Sequence, residues 1–218
     1  MRLDKRLSAV LDRVRGDTIA DIGCDHGKLC CAALASGRAR RAIAIDISAA
    51  SLDKARRLAA SLGLELTCRH TDGLRGVDER VDVAIIAGMG AHEIVHILDA
   101  DADKADEWVL LPHRRADLLR EYCAAHGWRT TRDDVVECGG KYYWLLTVVR
   151  GEYALDDRRR YLGDGNRDNP DYRAYVAYAA DKCDAIVRAC GADAQPDVVR
   201  QARLYKREAA LCARTETL

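Results

Sequence analysis

An α/β domain with a mostly parallel sheet, followed by a small helical unit, is the architecture this sequence predicts. Three observations carry it. Strand-like apolar runs alternate with amphipathic helical runs from residue 18 to residue 127. Two further strand-like runs, joined by Cys138-Gly139-Gly140-Lys141, then break that alternation. Past Gly151, turn formers cluster at 164–170 ahead of two apolar stripes at helical spacing.

In chain order, Leu3, Leu7, Val10, Leu11 and Val14 recur at helical spacing, with Arg2, Lys5, Arg6, Arg13 and Arg15 on the other faces. The chain therefore opens on a basic amphipathic helix. Strands are expected over 18–21, 42–46, 64–69, 81–87 and 108–111, and helices over 28–36, 49–62, 91–98 and 116–126. The run VDVAIIA at 81–87 is apolar at its end, as a strand buried on both faces should be. The hairpin strands fall at 128–137 and 142–149. Five βα units closed by an antiparallel hairpin form the sheet layout of class I methyltransferases, a Rossmann-like fold; a dinucleotide-binding domain would continue with parallel units. Asn169-Pro170 is a helix start. Tyr172, Tyr175, Val176, Ala179, Cys183, Ile186, Val187 and Cys190 make one stripe; Val199, Ala202, Tyr205, Ala209 and Cys212 make another. The two helices should pack as an antiparallel hairpin. The expected division is 1–151 for the α/β domain, including the basic helix, and 152–218 for the helical unit.

The 218 residues suffice for such a domain with a substantial core. Lys plus Arg and Asp plus Glu both total 35, so net charge neither favours nor excludes a nucleic-acid partner; local patches decide. No apolar run is long enough to span a bilayer, and the N-terminus has no signal-peptide core, which implies a cytoplasmic protein without a membrane partner. Nine Cys, none in a CxxC pair, read as reduced thiols, and no metal site is expected.

The turn Asp21-Ile22-Gly23-Cys24-Asp25-His26-Gly27 follows the first strand, where a nucleotide-type ligand meets the strand ends. A pyrophosphate wants G-x-G-x-x-G, but here Asp25 replaces the second glycine and Asp21 lies upstream. Two carboxylates repel a diphosphate and suit a ligand with an ammonium, a sulfonium and an adenosine, which is S-adenosylmethionine. Read as local structure alone, the same residues are a glycine turn with Asp25 capping the next helix. Asp46 ends the second strand, where a carboxylate accepts from both ribose hydroxyls; its structural alternative is to cap the helix after Ser48. Asp72-Gly73 follows the third strand, where Asp72 can accept from the adenine amine and Gly73 lets the backbone approach the ring. Gly27 and Ile47 complete the candidate cofactor set.

The fourth strand ends Ala87-Gly88-Met89-Gly90-Ala91-His92, with neither the carboxylate or amide nor the aromatic residue that draws out the delocalised lone pair of an exocyclic amine. A small turn suits an acceptor with an in-plane lone pair, such as a ring nitrogen. His26, His92 and His113 are the polar candidates at the mouth, with Asp25 as a partner for His26.

Taken together, Asp21-Ile22-Gly23-Cys24-Asp25-His26-Gly27, Ala87-Gly88-Met89-Gly90, Leu111-Pro112 and Gly140-Lys141-Tyr142 resemble the bacterial TrmK family. The resemblance extends to the C-terminal helical pair. It implies a tRNA (adenine(22)-N(1))-methyltransferase, a coiled-coil-like C-terminal domain, S-adenosylmethionine as donor and tRNA as substrate. It also implies that Asp21, Gly23, Asp25, His26, Asp46, Asp72 and Gly73 line the cofactor site. Gly88, Met89 and Gly90 would lie between cofactor and base, which makes Met89, with His26 and Asp25, a candidate for the transfer step. The family usually has Gly where this chain has Ala91, and Gln-Pro-Asn where it has Leu111-Pro112-His113, both on the acceptor side.

A tRNA substrate requires cationic contacts. Arg2, Lys5 and Arg6 supply them on the opening helix, with His92 and His113 toward the base; Tyr142, Tyr143 and Trp144 are candidates for a stacking face, although alternate members of a strand are usually core. The competing reading is a small-molecule or protein methyltransferase whose helical hairpin serves a homodimer or another partner.

Overall fold

The computed structural model describes residues 2–215. In chain order its elements are α1 Lys5–Leu11, β1 Thr18–Ile22, α2 Lys28–Ala35, β2 Arg41–Asp46, α3 Ala49–Ser61, β3 Thr67–His70, β4 Val81–Ala87 and α4 Ala91–Asp101, then β5 Ala105–Leu111, α5 Ala116–Ala125, β6 Trp128–Cys138, β7 Lys141–Arg150, α6 Asp157–Leu162, α7 Pro170–Cys190 and α8 Pro196–Thr215. One seven-stranded sheet runs β3-β2-β1-β4-β5-β7-β6. β1 to β5 are parallel, and β7 inserts antiparallel between β5 and β6. This is the Rossmann-like methyltransferase sheet the sequence predicts. The strand order reverses between β1 and β4, which opens a crevice outside their carboxyl ends.

Side chains alternate between the two faces of each strand, and the alternation sorts the core. Ile19, Ala42, Ala44, Val83, Ile85 and Val109 pack under α1, α2 and α3, joined by Val10, Leu29, Cys30, Leu52 and Ala55. Ala20, Ile22, Ile43, Ile45, Ile86 and Leu110 face α4 and α5. The C-terminal helices extend this second layer, because Tyr161, Tyr172, Val176 and Tyr205 belong to the same cluster as Val135, Trp144 and Leu146.

Polar contacts fix those helices to the sheet. Asn169 caps α7, accepting from Asp171 N–H at 2.9 Å while its amide donates to Val135 O at 3.0 Å. Asp171 accepts from Glu137 N–H at 3.0 Å. Arg120 and Asp133 form a fully buried pair at 2.7 and 2.9 Å; the Arg120 guanidinium stacks 4.1 Å from the Trp144 ring centroid and donates to Arg160 O. Between α7 and α8, buried Glu208 accepts from Arg167 at 2.8 and 3.0 Å and from the Tyr172 hydroxyl at 3.2 Å.

Several expectations are corrected here. The third strand starts at Thr67, not at 64, because Leu64 N–H closes the end of α3 on Ala59 O. The opening helix ends at Leu11; Arg13 and Val14 fold back in tight turns that still bury Val14. α6 was not expected, and its basic run is turned inward: Arg158 reaches Glu208, Arg159 reaches Asp164 and Arg160 reaches Glu121. The α7 stripe is buried through Cys183, but Ile186 is exposed. Trp144 offers no stacking face, since it is buried against Arg120, Tyr172 and Tyr175. Among the described residues, no helix is long and apolar enough to cross a membrane.

Candidate active site

After β1 the chain bends across the end of β2, with Gly23 and Cys24 N–H both donating to Ile45 O at 2.8 and 3.0 Å. Gly23 takes φ +72°, and the space a side chain would fill there is occupied by the Met89 methyl. Asp25 adopts the left-handed region (φ +50°) with its N–H donated to Asp46 Oδ2 at 3.1 Å. Asp46 Oδ1 accepts from Ser48 N–H at 2.8 Å, so one carboxylate braces the loops after both β1 and β2. Asp21 is buried beneath the turn. Burial, with a smaller push from Asp46, raises its carboxyl to about 7, while a weak contact from the Cys30 thiol opposes the shift.

A cavity of about 480 Å³ opens at these strand ends. Of the residues singled out from sequence, Gly23, Asp46, Ile47, Asp72, Gly73, Met89 and His92 line it. Asp21, Asp25, His26 and Gly27 lie behind or beside it. Gly27 caps α2 against Ala55, and His26 Nε2 sits 3.3 Å from Asp25 Oδ1 and 3.1 Å from Lys54 Nζ on α3. Gly88 and Gly90 shape the turn around Met89: Gly88 N–H donates to Leu111 O at 3.1 Å, and Gly90 N–H donates to Glu93 Oε2 at 2.7 Å. Among the described residues, Asp46, Asp72 and Glu93 line the cavity and no Lys or Arg does, so its electrostatics disfavour a phosphate and favour a cationic ligand.

Sequence reasoning missed five contributors. Thr71 continues from β3, and Glu93, His96 and Ile97 face the cavity from α4 at the spacing of one helical face. That spacing, starting from the Gly-Met-Gly turn, was the signal that could have found them. The fifth, Asp101, is buried at the end of α4 and accepts from Leu74 N–H at 2.7 Å, which holds the Asp72-Gly73 turn. Gly73 (φ +65°) packs so closely there that a Cβ would lie 2.5 Å from Asp101 Oδ2.

The acceptor-side candidates divide. His113 N–H donates to Met89 O at 2.9 Å, and its side chain borders a second cavity of about 570 Å³. Arg2 is exposed; Lys5 is ion-paired to Asp171 at 2.7 Å, linking α1 to α7; and Arg6 lies 5.3 Å from the Tyr143 ring centroid.

Comparison with known proteins decides the family. A model described as "Methyltransferase domain" matches residues 3–146. The tRNA (adenine(22)-N(1))-methyltransferase of Bacillus subtilis (strain 168) is 33% identical over 159 residues, covering 70% of this chain and 67% of that protein. The chain belongs to the TrmK family. A crystal structure of a Streptococcus pneumoniae protein, described as a candidate tRNA (m1A22) methyltransferase in complex with S-adenosyl-L-methionine, is similar at TM-score 0.85 and 25% identity, covering 95% of this chain and all of that one. The B. subtilis TrmK crystal structure shares the fold at TM-score 0.77 and 24% identity over 98% of both chains. Its similarity spans α6, α7 and α8 as well as the sheet, so the helical unit belongs to the TrmK architecture.

Proposed function

We propose that this chain is an S-adenosylmethionine-dependent tRNA (adenine(22)-N(1))-methyltransferase acting in the cytoplasm. The observation that carries the reading is the acid-lined cavity at the β1, β2 and β3 ends in a chain of this family. Its donor set fits the cofactor. Asp46 spends one lone pair of each oxygen on backbone N–H groups and keeps others for ribose hydroxyls, with Ile47 beside them. Asp72 and Gly73 take the adenine, and the Asp21–Gly27 turn faces the amino-acid end. When bound, the cofactor would supply an electrophilic methyl group on a sulfonium, and breaking the S–CH3 bond as the methyl passes to the acceptor would leave the rest of the cofactor as a neutral thioether.

The chain's task is then placement. Met89, held by Gly88 and Gly90 and by the His113 peptide, stands between cofactor and acceptor. Adenine N1 carries an in-plane lone pair, so in-line approach is the main requirement and no strong base has to remove a proton first. Asp25 and His26 order the turn. His92 and His113 flank the acceptor, and Arg2 and Arg6 meet phosphates, whereas Lys5 is held by Asp171 in the contact between α1 and α7. The catalytic unit spans 1–151 and the helical unit 152–218.

Incubation with labelled donor and unmodified tRNA, followed by nucleoside analysis, tests this. Label in N1-methyladenosine at position 22 is expected. Label in another nucleoside, or transfer only to a small molecule or protein, overturns it.

A further inference from the structure

The second cavity is walled by three elements: the residues between β5 and α5, the turn joining β6 to β7, and the middle of α7. We infer that it is a second nucleotide subsite, which takes an RNA nucleotide neighbouring the methylated base. The base stacks on Tyr178 and Tyr142, and Arg114, Lys141 and Lys182 hold the phosphates. This inference rests on the tRNA reading above and adds to it a place and a set of contacts.

Four observations support it. Tyr178 is 50% exposed, so a large ring on α7 faces this groove with half its surface free. Its centroid is 5.5 Å from that of Tyr142, and Tyr142 is propped edge-on against Tyr175 at 5.7 Å. The pair therefore presents a braced aromatic surface, and bases of any identity stack on such a surface. The cations differ from most others in the molecule. Arg115 is neutralised by Asp117 at 2.8 Å, whereas Arg114, Lys141 and Lys182 have no carboxylate partner among the described residues. Lys182 lies 5.7 Å from the Tyr178 ring centroid, so charge and stacking surface coincide. Finally, the groove adjoins the cofactor cavity, because His113 lines it while donating its N–H to Met89 O. On this reading, a nucleotide seated here is the strand neighbour of a base held at Met89.

The test uses the full chain and an unmodified tRNA transcript with adenine at position 22. Tyr178→Ala, Tyr178→Phe and Lys182→Glu are compared with wild type for tRNA affinity and KM, with calorimetric affinity for S-adenosylmethionine as the control for folding. Both side chains are exposed, so the fold should tolerate the changes. Losing one stacked base should weaken tRNA binding and raise KM roughly tenfold in Tyr178→Ala. Tyr178→Phe should retain wild-type binding. Lys182→Glu should weaken binding and flatten its salt dependence. Cofactor affinity should not move. If Tyr178→Ala and Lys182→Glu bind and methylate tRNA as wild type does, the subsite is wrong and the methyltransferase reading stands. If wild type methylates no tRNA, both fall.

Discussion

Asp101 lies outside the lining of the candidate cofactor cavity but braces one of its turns, and its removal should be felt in two ways. Its side chain is 2% exposed, it accepts from Leu74 N–H at 2.7 Å, and it lies 3.7 Å from Lys104 Nζ. Lys104 in turn donates to Leu74 O at 2.7 Å, so the backbone N–H and C=O of Leu74 are both held by this pair. Asp101→Ala deletes one charge-assisted bond and leaves a buried N–H without a partner, for a loss of about 2–4 kcal/mol. In a chain of this size that lowers the melting temperature by roughly 5–15 °C. The turn released carries Asp72 and Gly73, so cofactor affinity should fall about tenfold, equivalent to ~1.4 kcal/mol. Asp101→Asn keeps an acceptor and should lose less of both. Scanning calorimetry and isothermal titration read the two effects separately. If Asp101→Ala melts with wild type, the anchoring argument is wrong. If it melts lower but binds the cofactor unchanged, the turn does not contribute to the site.

Three further outcomes are expected. Asp46→Ala should weaken cofactor binding more than tenfold by calorimetry, since it removes a carboxylate that braces both flanking loops and faces the ligand; unchanged affinity would take Asp46 out of the site. Asp21 is raised to about 7 from an ordinary 3.8, so the folded chain holds an extra proton between those values and loses stability as pH rises through that window, by up to about 4 kcal/mol. Asp21→Asn should flatten the profile in urea melts from pH 4 to pH 8, and parallel wild-type and variant profiles would refute the assignment. Asp133→Ala leaves Arg120 charged and buried without its partner, costing about 3–5 kcal/mol in chemical denaturation; a double replacement of Arg120 and Asp133 by Met and Leu should recover much of that loss.

The sheet was legible because its signals are local. The nearly continuous apolar run VDVAIIA, glycines after helices and a Gly-Gly hairpin need no knowledge of distant partners. Much of the lining of the cavity at the strand ends was legible for the same reason, since Gly23, Asp46, Asp72 and Met89 end or follow strands, and strand ends can be counted. What escaped depends on contacts between distant residues. Asp101 serves a turn 27 residues before it, and no motif joins the two. Lys5 reads as a free cation on a basic helix until Asp171, 166 residues later, arrives beside it. Tyr142 and Trp144 point to the same face of one strand, and the Arg120 guanidinium, Tyr172 and Tyr175 packed around Trp144 make that ring part of the core. The arginines of 158–160 form a basic run in the sequence, but the short helix that carries them turns each toward a carboxylate.

The buried Arg120–Asp133 pair also bears on how the polypeptide can be divided. The lid over this charge is made by later segments: Arg160 supplies a carbonyl to Arg120, Gly163 packs directly against Asp133, and Tyr172 closes over Trp144. Cutting the chain at the composition change near residue 151 would wet a salt bridge designed to stay dry. A chimera that exchanges tails between relatives must therefore carry the matching arginine, aspartate and tryptophan along with the helices.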